Sequence, residues 1–342
     1  MKKLKIGFSG FGYWGKNILR NLLDMDNVEV VAVCDSNEAN LKKATVLITK
    51  NSQYNPKLIS TINYDRIIAE KDIEAVVIAT PPQTHYELAY QAIKAHKHVF
   101  IEKPMTTNYQ DAIDLTGRAV EDGLTLMVGH TFIYHPVIND LKKLIDTGEL
   151  GDIYSINFEM VNLGKFQQLG VLWDLLPHGV SIILYLLNNP EVVKIEINGI
   201  SAIHTNLIDN AYLTLYFKNG SFSTIHVSWL HPCKERKLTV VGSKQMAVFD
   251  DINPLESLRI YNKGVSKDKS FSSWGESIVG YRHGNIISPV TTTGEPLKLE
   301  LQHFVDCILN NQKPITDGSN GAKVVRIIEE AVKKLENYNA NK

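Results

Sequence analysis

Lys3-Leu4-Lys5-Ile6-Gly7-Phe8-Ser9-Gly10-Phe11-Gly12-Tyr13-Trp14-Gly15-Lys16-Asn17-Ile18-Leu19-Arg20 is the stretch whose reading decides the fold. Leu4, Ile6 and Phe8 alternate with other residues, the period of a short buried strand. Gly10-x-Gly12-x-x-Gly15 follows, and then Ile18, Leu19, Leu22 and Leu23 recur at helical spacing. A second apolar run, Val28–Cys34, ends in Asp35, about 20 residues past the last glycine. In such a unit Gly10 permits the tight turn, Gly12 lets a pyrophosphate approach the backbone, and Gly15 lets the helix lie close on the strand. The helix N-terminus offers N–H groups and a partial positive charge to phosphates. Asp35 can accept two hydrogen bonds from a ribose diol and would repel a 2′-phosphate, and Ser36-Asn37-Glu38 bring no Arg to offset that. The stretch predicts a dinucleotide site, NAD in preference to NADP, with Gly10, Phe11, Gly12, Tyr13, Trp14, Gly15 and Asp35 as contacts. The competing reading is a βαβ unit whose glycines serve packing alone.

Outward from this unit, strand and helix keep alternating to about residue 129. Glu74–Thr80 reads as a strand stopped by Pro81-Pro82, Thr84–Ala95 as a helix, His98–Ile101 as a strand ending in Glu102-Lys103-Pro104, and Leu124–Val128 as another strand. Alternation of this kind implies a doubly wound, mostly parallel Rossmann sheet with ligands at the carboxyl ends of its strands. Gly10, Asp35, Thr80-Pro81 and Glu102-Lys103 all fall at those ends, and Thr80, Pro81, Glu102 and Lys103 are expected as further cofactor contacts. Beyond residue 130 the pattern changes to alternating strands, with a hairpin turn at Asn219-Gly220 and one helix over Pro177–Leu187. Gly264–Glu295 reads as loop-rich, and Leu299–Asn310 and Ala322–Leu335 as two last helices. The expected class is α/β plus α+β. Residues 1–129 form an NAD-binding domain, and residues 130–342 a mostly antiparallel open sheet with helices on one face. The last helices are expected to pack back toward the first domain. The bare sheet face, taken as apolar, is a natural oligomer interface.

The 342 residues suffice for two domains with sizeable cores. A formal net charge of −1 argues against nucleic-acid or membrane-surface partners recruited by charge. The longest apolar run, near Ile182–Leu187, is far short of the ~20 residues a membrane helix needs. Cys34, Cys233 and Cys307 are scattered, with neither metal nor disulfide spacing, which suits a reducing cytoplasm. No His/Cys/carboxylate set has zinc spacing, so no metal is expected.

Three residues carry the candidate chemistry. Lys103, at a strand end, can donate hydrogen bonds to a substrate hydroxyl, or stand as a solvated cation. In Trp173-Asp174-Leu175-Leu176-Pro177-His178, Asp174 and His178 are four apart and share a helix face. Pro177 is tolerated only in a first turn, so the helix is expected to start near Asp174, with His178 at the positive helix end. There a neutral imidazole, able to accept a proton, is favoured. Asp174 then binds hydroxyls or steers His178; the plainer reading is a capping Asp and a packed His. His85, at a helix start after Pro81-Pro82, either touches the cofactor or serves as a local cap.

With these residues in place the chain resembles the Gfo/Idh/MocA oxidoreductase family. The matches are Gly10-x-Gly12-x-x-Gly15, Asp35, Thr80-Pro81 with His85, Glu102-Lys103-Pro104, Val128-Gly129-His130 and Asp174-x-x-x-His178, followed by Val240-Val241-Gly242 and Pro314–Gly318. They run in order over essentially the whole chain. The resemblance implies that Lys103, Asp174 and His178 form the catalytic set, and that the C-terminal sheet builds a homodimer or homotetramer. Val161–Gly164 followed by Leu172–His178 is similar to members acting on sugars, nearest to sugar-nucleotide 3-dehydrogenases of the UDP-N-acetylglucosaminuronate type. Many members carry an acidic residue after the His, where this chain has Gly179. The expected activity is hydride transfer between NAD and a secondary alcohol or ketone of a sugar or sugar nucleotide. Tyr134, Asn162, Lys165 and Arg236 are the candidate substrate contacts. A free-polyol dehydrogenase and a non-catalytic NAD- or sugar-binding regulator are the alternatives.

Overall fold

Pure hydrophobic runs such as Ala75–Ile78 are what a strand covered on both faces requires, and they build the first half of the chain. The computed structural model describes residues 3–51, 57–164, 166–204, 207–267 and 279–340. They fall in two units, Met1–Tyr134 with Gly294–Glu329, and His135–Thr293 with Glu330–Lys342. The first begins β1 (Leu4–Ser9), α1 (Gly15–Leu23), β2 (Val28–Cys34), α2 (Glu38–Thr49), β3 (Ile59–Thr61) and α3 (Asp65–Ala69). It continues β4 (Ala75–Ile78), α4 (His85–Lys94), β5 (His98–Glu102), α5 (Tyr109–Glu121) and β6 (Leu126–Gly129). The sheet runs β3-β2-β1-β4-β5-β6 with every pair parallel. Strand order reverses between β1 and β4, so the crevice for a ligand opens at their carboxyl ends. Those ends are Ser9-Gly10 and Ile78–Thr80.

The second unit holds α6 (Pro136–Asp146), β7 (Ile153–Leu163), α7 (Gly170–Leu186), β8 (Val192–Ile200), β9 (Asn210–Phe217) and β10 (Phe222–Ser228). It goes on through β11 (Leu230–Gly242), β12 (Met246–Asp250), β13 (Leu258–Lys267) and β14 (Val279–Ile287). The order is β14-β13-β12-β11-β7-β10-β9-β8, antiparallel except for β7 beside β10. Phe158, Ile225, Leu213 and Leu215 are buried on the face that α7 covers. Three expectations need correction here. Gly264–Glu295 is not merely loop, because β13 and β14 pair across it. The helix around Asp174 begins at Gly170, not near Asp174. The opposite sheet face is also not broadly apolar: register puts Thr224 beside Asn157, Tyr212 beside His226 and Lys194 beside Tyr216. Tyr212 stacks on His226 at 4.0 Å, and Thr224 donates to Asn157 at 2.7 Å. Polar cross-strand pairs and half-exposed aromatics line it.

Two helices follow, α8 (Pro296–Leu309) and α9 (Gly318–Ala340). α8 opens with Pro296, whose missing N–H costs nothing in a first turn. Its Phe304 meets Phe100 of β5 edge-on at 5.6 Å, both fully buried. Burying a Phe contributes roughly 1.5–3 kcal/mol, with a further ~1 kcal/mol for the aromatic pair. The Val128 N–H donates to the Thr316 carbonyl at 2.8 Å, and Thr316 Oγ1 donates back to Val128, so this segment is held on β6.

Candidate functional site

Between β1 and α1 the backbone makes a turn that only glycine allows. Gly10 has φ +97°, and a Cβ there would stand 2.5 Å from the Ala79 carbonyl. A Cβ on Gly15 would lie 1.9 Å from the Gly10 oxygen, so α1 can start this close only without a side chain. Around Gly12, by contrast, a Cβ would meet nothing within 4 Å, and the backbone there is open to a bulky partner. Asp35, at the end of β2, is buried; its Oδ2 accepts the Phe11 N–H at 2.7 Å and its Oδ1 the Asn37 N–H at 2.8 Å. Two carboxylate oxygens have about four lone-pair sites, so capacity for a diol remains. An open Gly12, a helix N-terminus and an acid at the next strand end together fit a dinucleotide. Tyr13 and Trp14 stand at the exposed rim of the turn.

The neighbouring strand ends are tied together by His85, which is fully buried. Its Nδ1 lies 2.8 Å from the Pro104 oxygen and its Nε2 2.9 Å from the Thr80 oxygen. The ring therefore bridges the ends of β4 and β5 rather than simply capping α4. Burial pushes its pKa down. Thr80 and Thr84 share a hydroxyl contact at 2.7 Å beside Pro81. Lys103 is half-buried where β5 ends.

Beneath Lys103 lies a group of buried titratable side chains. Glu102 Oε1 accepts the Trp14 indole N–H at 2.8 Å and Oε2 the Lys103 amide at 3.0 Å. Burial raises its pKa to about 7, against the pull of Lys103. Glu300, on α8, is fully buried; its Oε2 accepts the Thr131 hydroxyl at 2.7 Å, while its Oε1 has no hydrogen-bond partner among the described residues. Burial and then the Glu102 charge push its pKa well up. His130 is buried with both ring nitrogens unpartnered among the described residues, and burial, with Lys103 nearby, pushes its pKa down to about 3. The sequence did yield Glu102 and, through the resemblance, His130. It did not yield Glu300, whose one signal is an acid at a core position between Leu297, Leu301 and Phe304.

In the second unit, Asp174 and His178 lie one turn apart on α7 and are half-buried. The helix begins at Gly170, so Pro177 is internal and cannot donate to the Trp173 carbonyl. His178 thus sits more than two turns from the N-terminus, where the macrodipole has faded. The expected cap role of Asp174 and the dipole argument for a neutral His178 both fall. The shared face remains. Gly179 has a packing cause: a Cβ there would lie 2.7 Å from Phe158 Cδ1 and 2.9 Å from Ile225 Cγ2, so this position admits no acidic side chain. Arg236 pairs with Asp251 at 3.1 Å, and Asn162 is half-buried near the end of β7. Lys165 lies outside the described residues. Tyr134, in the first unit, is buried with its hydroxyl 3.0 Å from Thr316 Oγ1. Among the described residues no cluster of His, Cys, Asp or Glu suits a metal.

Comparison with known families bears on this geometry. The model of an oxidoreductase family with an NAD-binding Rossmann fold matches residues 4–130, and that of the Gfo/Idh/MocA C-terminal domain matches residues 138–248. The chain belongs to the Gfo/Idh/MocA oxidoreductase family. Its relatives there differ in chemistry. A 2,7-anhydro-N-acetylneuraminate hydratase of Escherichia coli (strain K12) is 27% identical, over 75% of this chain and 70% of the relative. A UDP-N-acetylglucosamine 3-dehydrogenase of Acidithiobacillus ferrooxidans is also 27% identical, over 76% of this chain and 78% of the relative. A solved structure of UDP-N-acetylglucosamine 3-dehydrogenase from Acidithiobacillus ferrooxidans matches with TM-score 0.79 over 99% of each chain, at 23% identity, which speaks to the fold. As a Gfo/Idh/MocA enzyme the chain is an oxidoreductase with NAD as cofactor, and the turn at Gly10–Gly15 with Asp35 is the part of it that fits NAD. No helix among the described residues is long and apolar enough to cross a membrane.

Proposed function

We propose that this enzyme oxidises a secondary alcohol of a sugar or sugar nucleotide, or reduces the matching ketone, with Lys103, Asp174 and His178 as its catalytic residues. Bound NAD supplies the hydride acceptor, or in the reverse direction the donor. The Lys103 ammonium donates a hydrogen bond to the substrate oxygen and holds the carbon to be oxidised in place. The His178 imidazole takes the hydroxyl proton as the carbon–hydrogen electron pair departs, leaving a ketone. Asp174, one turn earlier, binds a substrate hydroxyl or orients His178. The observation that carries this reading is the pair Asp174 and His178 on one face of α7, in a chain whose other unit offers Lys103 beside a dinucleotide turn. The Arg236–Asp251 ion pair favours a second reading, a free polyol, because that cation is already neutralised and need not meet a phosphate. The open sheet face, with Tyr212, His226 and Phe222, is the surface through which a homodimer or homotetramer forms, and light scattering after size exclusion tests it.

The activity test follows NADH absorbance with UDP-N-acetylglucosaminuronate, UDP-N-acetylglucosamine and myo-inositol. Lys103→Ala and His178→Ala each lower turnover by about 10²–10⁴-fold while NADH still binds. Near-native rates in both variants refute the assignment. Turnover confined to myo-inositol selects the polyol reading.

A further inference from the structure

The dinucleotide turn and Lys103 are joined by one side chain. Glu102 gives one oxygen to the Trp14 indole N–H at 2.8 Å, and the other to the Lys103 amide N–H at 3.0 Å. Trp14 stands inside the Gly12–Gly15 turn, so the carboxylate spans from the phosphate-binding backbone to the strand end that carries Lys103. We propose that Glu102 is a positioning residue whose ionised carboxylate ties the dinucleotide turn to Lys103, one oxygen holding Trp14 and the other the Lys103 backbone. The inference rests on the role given to Lys103 above, and its test does not depend on turnover.

The ionised carboxylate makes both bonds at their strongest. Each of its oxygens accepts one N–H, and a proton on either oxygen removes the charge that assists both contacts. The groups around it set how easily that proton arrives. Lys103 at the end of β5 and Trp14 from the turn favour the charge; Glu300 from α8 opposes it when ionised; His130, after β6, is held neutral. Among the described residues Glu300 Oε1 has no hydrogen-bond partner, and burial, then the Glu102 charge, push its pKa well up, which favours the neutral acid. The backbone of Gly129 closes the remaining side: a Cβ there would stand 3.0 Å from Glu102 Oε1. With burial raising Glu102 to about 7, the tie is strongest above neutral pH and weakens below it.

NADH is the probe, its binding read from its own fluorescence in the full-length protein. In the wild type the dissociation constant rises about tenfold from pH 8 to pH 6, the scale of one charge-assisted hydrogen bond. E102Q keeps an acceptor for Trp14 but sets an NH2 group against the Lys103 amide. It binds NADH several-fold more weakly at pH 8, and its affinity changes less than twofold over the range. Trp14→Phe leaves Glu102 intact, removes the donor and flattens the same profile, so the result stands even where E102Q fails to fold. A wild-type slope retained in either variant overturns the proposal, as does a pH-independent wild type. Should Lys103 prove non-catalytic, turnover of Lys103→Ala reveals it while these binding profiles stay as they are.

Discussion

Gly179 is the position where the packing of α7 is most exposed to test. Replace it with alanine. The new methyl would approach Phe158 Cδ1 at 2.7 Å and Ile225 Cγ2 at 2.9 Å. Ordinary carbon contacts lie near 3.5–4.0 Å, so the helix or the sheet must give by roughly 0.7 Å or more. Neither neighbour is free to yield, since Phe158 is 3% exposed and Ile225 0%. Overpacking of this kind costs about 1–3 kcal/mol. Against it, Gly→Ala in a helix interior gains about 1 kcal/mol. The clash at least cancels that gain, and the net loss is about 0–2 kcal/mol. Gly179→Asp adds a carboxylate with no room and no partner in the core, several kcal/mol more, and should not fold. Urea midpoints measure the first, and NADH binding, which belongs to the other unit, should be unchanged in Gly179→Ala. Turnover should fall about tenfold, because His178 shifts with the helix. An alanine variant about 1 kcal/mol more stable than wild type, the full helix-propensity gain, would show that the helix does not lie as close to Phe158 and Ile225 as these distances state.

The glycines of the turn separate packing from binding. Gly12→Ala meets open space, so its melting temperature stays within about 2 °C of wild type while NADH affinity falls at least tenfold; Gly15→Ala, with a Cβ 1.9 Å from the Gly10 oxygen, should lose the fold as well, by circular dichroism. His130 has a folded pKa of about 3 against about 6.5 unfolded, so the unfolded chain alone takes up the proton and stability is lost as pH falls from 6.5 toward 3. At ~1.4 kcal/mol per pH unit, the wild type should lose roughly 2 kcal/mol between pH 7 and pH 5 relative to His130→Leu; parallel urea curves for the two would show that His130 does not carry this linkage.

What the sequence disclosed follows from where each segment lies. β1, β4 and β5 are buried on both faces, and the glycines at 10, 12 and 15 are required by atoms within 3 Å or by open space where a ligand belongs, so both patterns were legible. Asp174 and His178 were legible as a spaced pair. The start of α7 was not: Pro177 suggested a first turn, yet the preceding residues Gly170–Trp173 are helical and the helix simply forgoes one bond. β13 and β14 are not legible because β14 is exposed along both faces from Tyr281 to Ile287, and a strand without a buried face shows no alternation. Glu300 is illegible for the opposite reason. It lies on the core face of an otherwise ordinary amphipathic helix, and nothing local says that an acid there is buried beside another acid.

That buried group also sets a balance no single residue shows. Glu102 and Glu300 have folded pKa values above those of the unfolded chain, so the unfolded state releases its protons first as pH rises, and stability falls above about 4.5. His130 acts in the other sense, costing stability below about 6.5. Between those limits the His130 linkage offsets one of the two acids and leaves the other uncompensated. Below about 4.5 His130 acts alone, and above 6.5 the two acids do. The neutral imidazole thus offsets one proton's worth of the acids' cost at mid-range pH, while Glu102 gains or loses the proton that tunes the Trp14 contact.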